Sequence, residues 1–376
     1  MLGAGTFAQA TYSAIWSGMA VMAASLRTRY GLGLGEVGVL IAASLAGSVL
    51  SLVPWGLLTD RVGERIALLT GVGACGAALL LGAETHRFST LLLCLLFAGF
   101  AGASVQSASG RAVMYWFAPA QRGLALGIRQ TAIPIGGFVT ALMLPPIVRA
   151  GGVDWGIRTL GIACLVSAAV GWMLVRDAGG DDESHVELGP PPLRDRRIWQ
   201  MSVGSALVLA PQMCIVGFTV LYLHEQRGMS TGAAAAVLAL MQALGIGARI
   251  AAGHYSDTHG SRLAPVRAIA LALTATTVLA GALLDAPLAV LIPALVVCGV
   301  LSMSWNGLSF AAAAELAGRS RSGAAIGLQQ TLLNGPSAIY PGAFGALVAA
   351  TSWPVGFFAV ALLPLAGWRV LRALPG

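Results

Sequence analysis

Residues 56–65 read GLLTDRVGER, and residues 253–262 read GHYSDTHGSR. Four positions recur at one spacing: Gly56 with Gly253, Asp60 with Asp257, Gly63 with Gly260, and Arg65 with Arg262. A second pair follows in the same order, RGLALGIRQT at 122–131 and SGAAIGLQQT at 322–331. Here Gly123, Ala125, Gly127, Gln130 and Thr131 match Gly323, Ala325, Gly327, Gln330 and Thr331. Two patterns repeated in order mark a chain built from two related halves.

The surroundings of these patterns fix the medium. The chain has 376 residues, 57% hydrophobic and 10% charged. A soluble domain carries roughly 25% charged residues, so this chain lacks the polar surface to cover a water-exposed globule. Lipid must face much of it, and helices satisfy their own backbone hydrogen bonds there. The net charge is +7, and every basic residue is Arg. The Arg residues sit in short breaks between apolar runs, as topology determinants do, which speaks against nucleic-acid binding. Cys75, Cys94, Cys164, Cys214 and Cys298 lie far apart inside apolar runs and read as small buried hydrophobes, with no disulfide and no metal site. The first apolar run, Gly3 to Leu26, is too long for a cleavable signal peptide and has no basic stretch before it.

About 20 apolar residues cross a bilayer core of ~30 Å. Eleven breaks separate such runs, near Arg27–Glu36, Thr59–Arg65, Glu84–Phe88, Pro119–Arg122, Arg149–Trp155, Arg176–Arg197, Leu223–Ser230, Ser256–Arg262, Asp285–Pro287, Gly318–Arg321 and Ala350–Pro354. The expected fold is an all-α membrane protein of about twelve transmembrane helices in two six-helix pseudo-symmetric halves. The break RDAGGDDESHVELGPPPLRDRR lies near mid-chain, so residues 1–176 form the first half, 177–197 a cytoplasmic linker and 198–376 the second half. Arg61, Arg65, Arg122, the Arg194–Arg197 cluster, Arg319 and Arg321 fall on one side with Arg369 and Arg372, and outnumber those on the other. That bias places both termini in the cytoplasm, and the Arg-only, Ala/Gly-rich composition points to a bacterial cytoplasmic (inner) membrane.

The segment Gly-x-Leu-x-Asp-Arg-x-Gly-x-Arg, carried by Gly56, Leu58, Asp60, Arg61, Gly63 and Arg65, resembles the signature loop of the major facilitator superfamily (MFS) between its second and third helices. The degenerate copy at Gly253–Arg262 is similar to what that family shows between helices eight and nine. The resemblance spans the chain. It implies secondary transport by alternating access, with helices one, four, seven and ten lining a central cavity. It also implies a structural and gating role for the motif. Physically, Asp60 and Arg61 sit at a helix end and can cap neighbouring helix termini, while glycine permits the tight turn. Asp257 and Arg262 are their counterparts. Arg111, Arg249 and Glu315 lie near inner helix ends and are assigned to the same structural class, Glu315 as partner of a loop Arg such as Arg262 or Arg319.

Ionisable groups within the membrane are costly and point to function. Arg129 lies ~10 Å into the fifth helix at 1.5 Å per residue. It can bind an anionic group through its fork of donors, or it can pair with a helix C-terminus. Gln130 and Gln330 should share a depth in the two halves; sugar porters of the same superfamily resemble this segment, and the other reading is helix–helix hydrogen bonding. Polar stripes at helical spacing add Tyr12 and Trp16 beside Gln9 and Ser13, Gln106, Gln212, and Trp305 with Asn306. The candidate substrate-binding set is therefore Arg129, Gln130, Gln330, Tyr12, Trp16, Trp305, Asn306, Gln212 and Gln106.

No GxxxxGK[ST] nucleotide loop occurs, and the five His fall in or beside loops, so neither an ATP motor nor an embedded enzyme is indicated. No cofactor is expected. The reading is a transporter of a small solute, an organic anion such as a carboxylate, working as antiporter, symporter or uniporter. The alternative is an efflux pump for neutral or amphiphilic drugs. Expected partners are the solute, the lipid bilayer and a coupling proton or counter-substrate, with a monomer as the default state and no nucleic acid.

Overall fold

The computed structural model describes residues 1–32, 34–176 and 191–374, all organised around helices. These are α1 (Leu2–Val21), α2 (Ala23–Tyr30), α3 (Leu34–Val62), α4 (Glu64–Ala83), α5 (Phe88–Gly102), α6 (Ser104–Trp116), α7 (Arg122–Gln130) and α8 (Ala132–Leu174). After them come α9 (Arg196–Pro211), α10 (Gly217–Glu225), α11 (Thr231–Thr258), α12 (Leu263–Ala282), α13 (Leu288–Ser304), α14 (Asn306–Ala317), α15 (Ser322–Ala350) and α16 (Trp353–Arg372).

Nine stretches among the described residues are long and apolar enough to cross a membrane. One of them runs 56 residues, from Pro119 to Leu174, and is broken at Gly152, where φ is 79°, so it makes two crossings. The helices α1 and α15 are 20 and 29 residues long but too polar to count as apolar. With them the crossings reach twelve. Outward faces are apolar: Leu50, Leu81, Phe138 and Met173 are about two-thirds exposed or more. In a bilayer those side chains meet lipid rather than water.

The breaks fall where the sequence places them. At the first motif α3 ends on Val62, and Gly63 takes φ +85° before α4 begins at Glu64. A left-handed φ disfavours any residue with a Cβ, which explains the glycine there. The helix after the mid-chain break starts two residues earlier than expected. Residues 177–190 of the expected linker lie outside the described residues, but Pro192–Arg194 form a 3₁₀ turn and α9 already starts at Arg196. The reason is an N-cap: Asp195 accepts from the Arg197 backbone N–H at 2.9 Å and its carboxylate holds the Arg197 guanidinium at 2.7 Å. That Arg197 partnership keeps the Asp195 carboxyl below the usual carboxylate range. Replacing Asp195 with Ala is expected to lower stability by about 1 kcal/mol, as loss of a helix cap does. A depressed folded-state pKa gives stability that is present above about pH 4 and lost as pH falls below it. The Asp195→Ala difference in melting temperature should therefore shrink on acidification.

The described residues form two compact units. Unit 1 comprises Met1–Ala118, Arg129–Arg194 and Ala317–Thr331; unit 2 comprises Pro119–Ile128, Asp195–Leu316 and Leu332–Gly376. Within unit 1, α1 and α4 pack along α8, and α3 packs on α5. The same pairings recur within unit 2, where α9 and α12 pack along α16 and α11 packs on α13. In the α3–α5 contact, a Cβ at Gly47 would overlap the Leu96 carbonyl, and one at Gly99 would overlap that of Ser44. Small residues let membrane helices approach to this distance, where dispersion forces replace the missing hydrophobic drive.

Candidate functional site

The two repeated motifs are each other's partners. In unit 1, Asp60 at the end of α3 accepts from the backbone N–H groups of Gly323 (3.0 Å) and Ala324 (2.8 Å), the first turn of α15. In unit 2, Asp257 at the end of α11 does the same to Gly123 (2.9 Å) and Leu124 (2.8 Å), the first turn of α7. A helix leaves its first N–H groups without internal partners and carries partial positive charge there, so a carboxylate is a fitting cap. The glycines make room for it. A Cβ on Gly56 would stand 2.5 Å from the Gly323 carbonyl, and one on Gly323 would stand 2.6 Å from Asp60 Oδ1. Gly253 and Gly123 meet in the same way.

The charges behind the two clamps differ. In unit 1, Arg111 on α6 reaches Asp60 (3.3 Å) and Glu64 (2.7 Å), and donates to the Tyr115 hydroxyl at 3.1 Å. Glu64 is fully buried. Arg65 turns elsewhere: it donates to the Trp172 carbonyl at 2.8 Å with its guanidinium 3.7 Å from the indole centroid. Arg61 is exposed. In unit 2 the motif Arg itself closes the network, since Arg262 pairs with Asp257, pairs with Glu315 at 3.1 Å and donates to the Pro119 carbonyl. Both clamps thus rest on an Asp–Arg–Glu network, and only in the more degenerate sequence copy does the motif supply the Arg. Arg249 is buried on α11 and donates to the Met303 carbonyl at 2.8 Å.

A second polar cluster lies inside unit 1, between α1, α6 and α7. Arg129 is 1% exposed. Its Nε donates to Ser109 Oγ at 2.7 Å, and its Nη2 donates to Gln106 O at 2.7 Å and to Gln106 Oε1 at 3.1 Å. Gln9 Nε2 donates to Gln130 Oε1 at 3.1 Å, and Ser109 Oγ donates to Gln9 Oε1 at 3.5 Å. Every acceptor around Arg129 is neutral, and it makes no ion pair among the described residues. Its Nη1 has no hydrogen-bond partner in the structure. A buried cation without counter-charge is expensive in a low-dielectric interior, and that expense is removed when an anion arrives.

The remaining candidates divide. Tyr12 lies on α1 three residues from Gln9 but its hydroxyl donates to the Gly99 carbonyl of α5 at 3.2 Å, away from the Arg129 cluster. Trp16 is partly buried on α1, and Gln330 is partly buried on α15 beside the buried Gln329. In unit 2, Asn306 Nδ2 donates to Gln212 Oε1 at 3.4 Å, while the fully buried Trp305 donates to the Ser302 carbonyl at 2.8 Å. Gln212 opens a π-helical turn, Gln212–Val216, directly after Pro211, and Trp305 sits at the break between α13 and α14. Gln106 likewise follows the break at Ala103 between α5 and α6. Irregular backbone at membrane depth is tolerated where protein or a cavity surrounds it, and three of the polar stripes coincide with it. Sequence reasoning overlooked Ser109 and Glu64. Ser109 is one of several serines on α6, and Glu64 reads as a loop residue until its full burial is seen.

The comparisons with known proteins agree with this architecture. Residues 5–341 match the profile of the Major Facilitator Superfamily. An MFS-type transporter of Mycobacterium tuberculosis, Rv2994, is 33% identical over 363 residues, covering 94% of this chain and 81% of that one. A protein of the same organism named as a probable nitrate/nitrite transporter, NarK2, is 26% identical over 275 residues, 70% of this chain and 67% of its own. The solved structure of the Escherichia coli fucose:proton symporter FucP shares the fold, with a TM-score of 0.74 at 17% identity and 97% of each chain covered. With twelve crossings, two related helix sets and a repeated Asp clamp on a glycine-lined helix start, the chain belongs to the major facilitator superfamily and is a membrane transporter of a small solute.

Proposed function

We propose that the solute is a small organic anion such as a carboxylate, and that Arg129 is its anchor. The observation behind this reading is the guanidinium buried among neutral acceptors. A solute carboxylate supplies the missing charge, and charge-assisted hydrogen bonds are roughly twice as strong as neutral ones. Gln9, Gln106 and Gln130 stand in the same cluster and offer amide donors and acceptors for a second polar group. The relative named for nitrate and nitrite supports an anionic substrate. Transport proceeds by alternating access between two six-helix halves joined by the mid-chain linker, without ATP, coupled to a proton or a counter-substrate. The protein sits as a monomer in a bacterial cytoplasmic membrane with both termini inside.

Uptake by the reconstituted protein tests the substrate class. Labelled mono- and dicarboxylates should enter proteoliposomes saturably. If only neutral or amphiphilic drugs move, the protein is an efflux pump and the anion reading falls.

A further inference from the structure

Beside the Arg129 cluster lies a void of about 10 Å³, lined by Thr6, Ser109, Ala112, Val113, Phe117 and Arg129 among others. A space of this size admits one particle of about the volume of a water molecule. Two buried polar atoms on its lining residues have no partner in the structure, Thr6 Oγ1 and Arg129 Nη1. Most of the wall is apolar, so no side chain there supplies counter-charge. Ser109 does not compete for the occupant, because its oxygen already accepts from Arg129 Nε and its proton points to Val105 O or Gln9 Oε1.

We propose that this void is a monatomic anion site, occupied by a halide that serves as counter-ion to Arg129. Water and halide both accept from the guanidinium and from the Thr6 hydroxyl. Only the halide also neutralises the charge, which a low-dielectric surrounding rewards far more than water outside does. The narrow interior of the void favours a monatomic ion over the carbon skeleton of an organic acid. The inference therefore goes beyond the proposed substrate: a second, inorganic anion uses the same guanidinium when the solute is absent. It follows that halide and solute carboxylate compete, and chloride raises the apparent KM for carboxylate uptake without lowering the maximal rate.

The test uses the purified full chain at constant ionic strength, with the bulky sulfonate HEPES replaced stepwise by chloride, bromide or sulfate. Melting temperature should rise saturably with chloride and bromide, and stay flat with sulfate, which is too large for the void. Thr6→Val should raise the half-saturating chloride concentration about tenfold, the equivalent of one lost hydrogen bond to a charged group. Arg129→Gln should abolish the response; if that variant does not fold, Thr6→Val and the anion series decide. Equal melting temperatures in HEPES and chloride, or an unchanged response in Thr6→Val, would overturn the site and leave water in the void. Carboxylate uptake without any halide effect sinks this inference alone, whereas a halide effect without carboxylate uptake sinks the proposed substrate alone.

Discussion

Arg111→Ala destabilises the protein by about 3–5 kcal/mol, the usual consequence of removing one partner of a buried ion pair. Arg111 is 6% exposed and Glu64 is fully buried, so water cannot replace the lost guanidinium. Two carboxylates, Asp60 and Glu64, pair with that cation. The loss should be read as a lower midpoint of denaturant-induced unfolding in detergent. A second variant separates charge from packing. Arg111→Met combined with Glu64→Leu removes the Arg111–Glu64 pair, leaves Asp60 on its two backbone N–H donors and should recover part of the loss, because an apolar pair of similar volume is often as stable as the ion pair it replaces. An Arg111→Ala protein as stable as the parent would mean that the network is solvated and has no structural role.

Asp60→Ala frees the first turn of α15. Two charge-assisted bonds to Gly323 and Ala324 disappear, each worth about 1.5–3 kcal/mol, and the helix start loses its anion. Arg111 keeps Glu64, so the loss is local rather than global. Amide exchange at Gly323 and Ala324 should accelerate by roughly a hundredfold, while amides in the middle of α4 stay protected. Asp257→Ala should do the same to Gly123 and Leu124. Exchange at these four amides that ignores the substitutions would show that the clamps are not what holds these helix starts.

The number of crossings was legible because each break carries a sharp local signal, a glycine at positive φ such as Gly63 or a short polar run such as Pro119–Gln121. Mean hydropathy alone misses α1 and α15, which the breaks beside them mark in the sequence. Both are diluted by polar residues such as Gln9, Ser13, Gln329 and Asn334, and only the repeat identifies α15 as the counterpart of α7 and the start of α8. The repeat was visible, but its meaning was not. Nothing local in GLLTDRVGER says that its Asp caps a helix more than 250 positions later, since that pairing is a tertiary fact. The same limit applies to Arg65 and Arg262. They occupy one motif position, yet one stacks on Trp172 and the other closes a carboxylate network, because the residues around them differ.

The candidate site was legible to a lesser degree. Arg129 stands out in any apolar run, and Gln130 beside it. Helical spacing put Tyr12 on the same stripe as Gln9, but a buried helix touches different neighbours along one stripe. Gln9 meets Gln130, and Tyr12 meets the α5 backbone. Ser109 and Glu64 went unseen because their roles depend on the partners Arg129 and Arg111, which lie 20 and 47 positions away.

On the proposed reading, Arg129 awaits the anionic group of the solute. Ligand-dependent thermal stabilisation tests it most directly, on the purified parent and the Arg129→Gln protein, across small carboxylates, sugars and amphiphilic drugs. A ligand present at about 100 times its dissociation constant stabilises by ~2.7 kcal/mol, a shift that is easily resolved. A carboxylate should stabilise the parent and leave Arg129→Gln unchanged. Stabilisation by neutral or cationic amphiphiles alone, equal in both proteins, would contradict the account and reduce Arg129 to a structural residue.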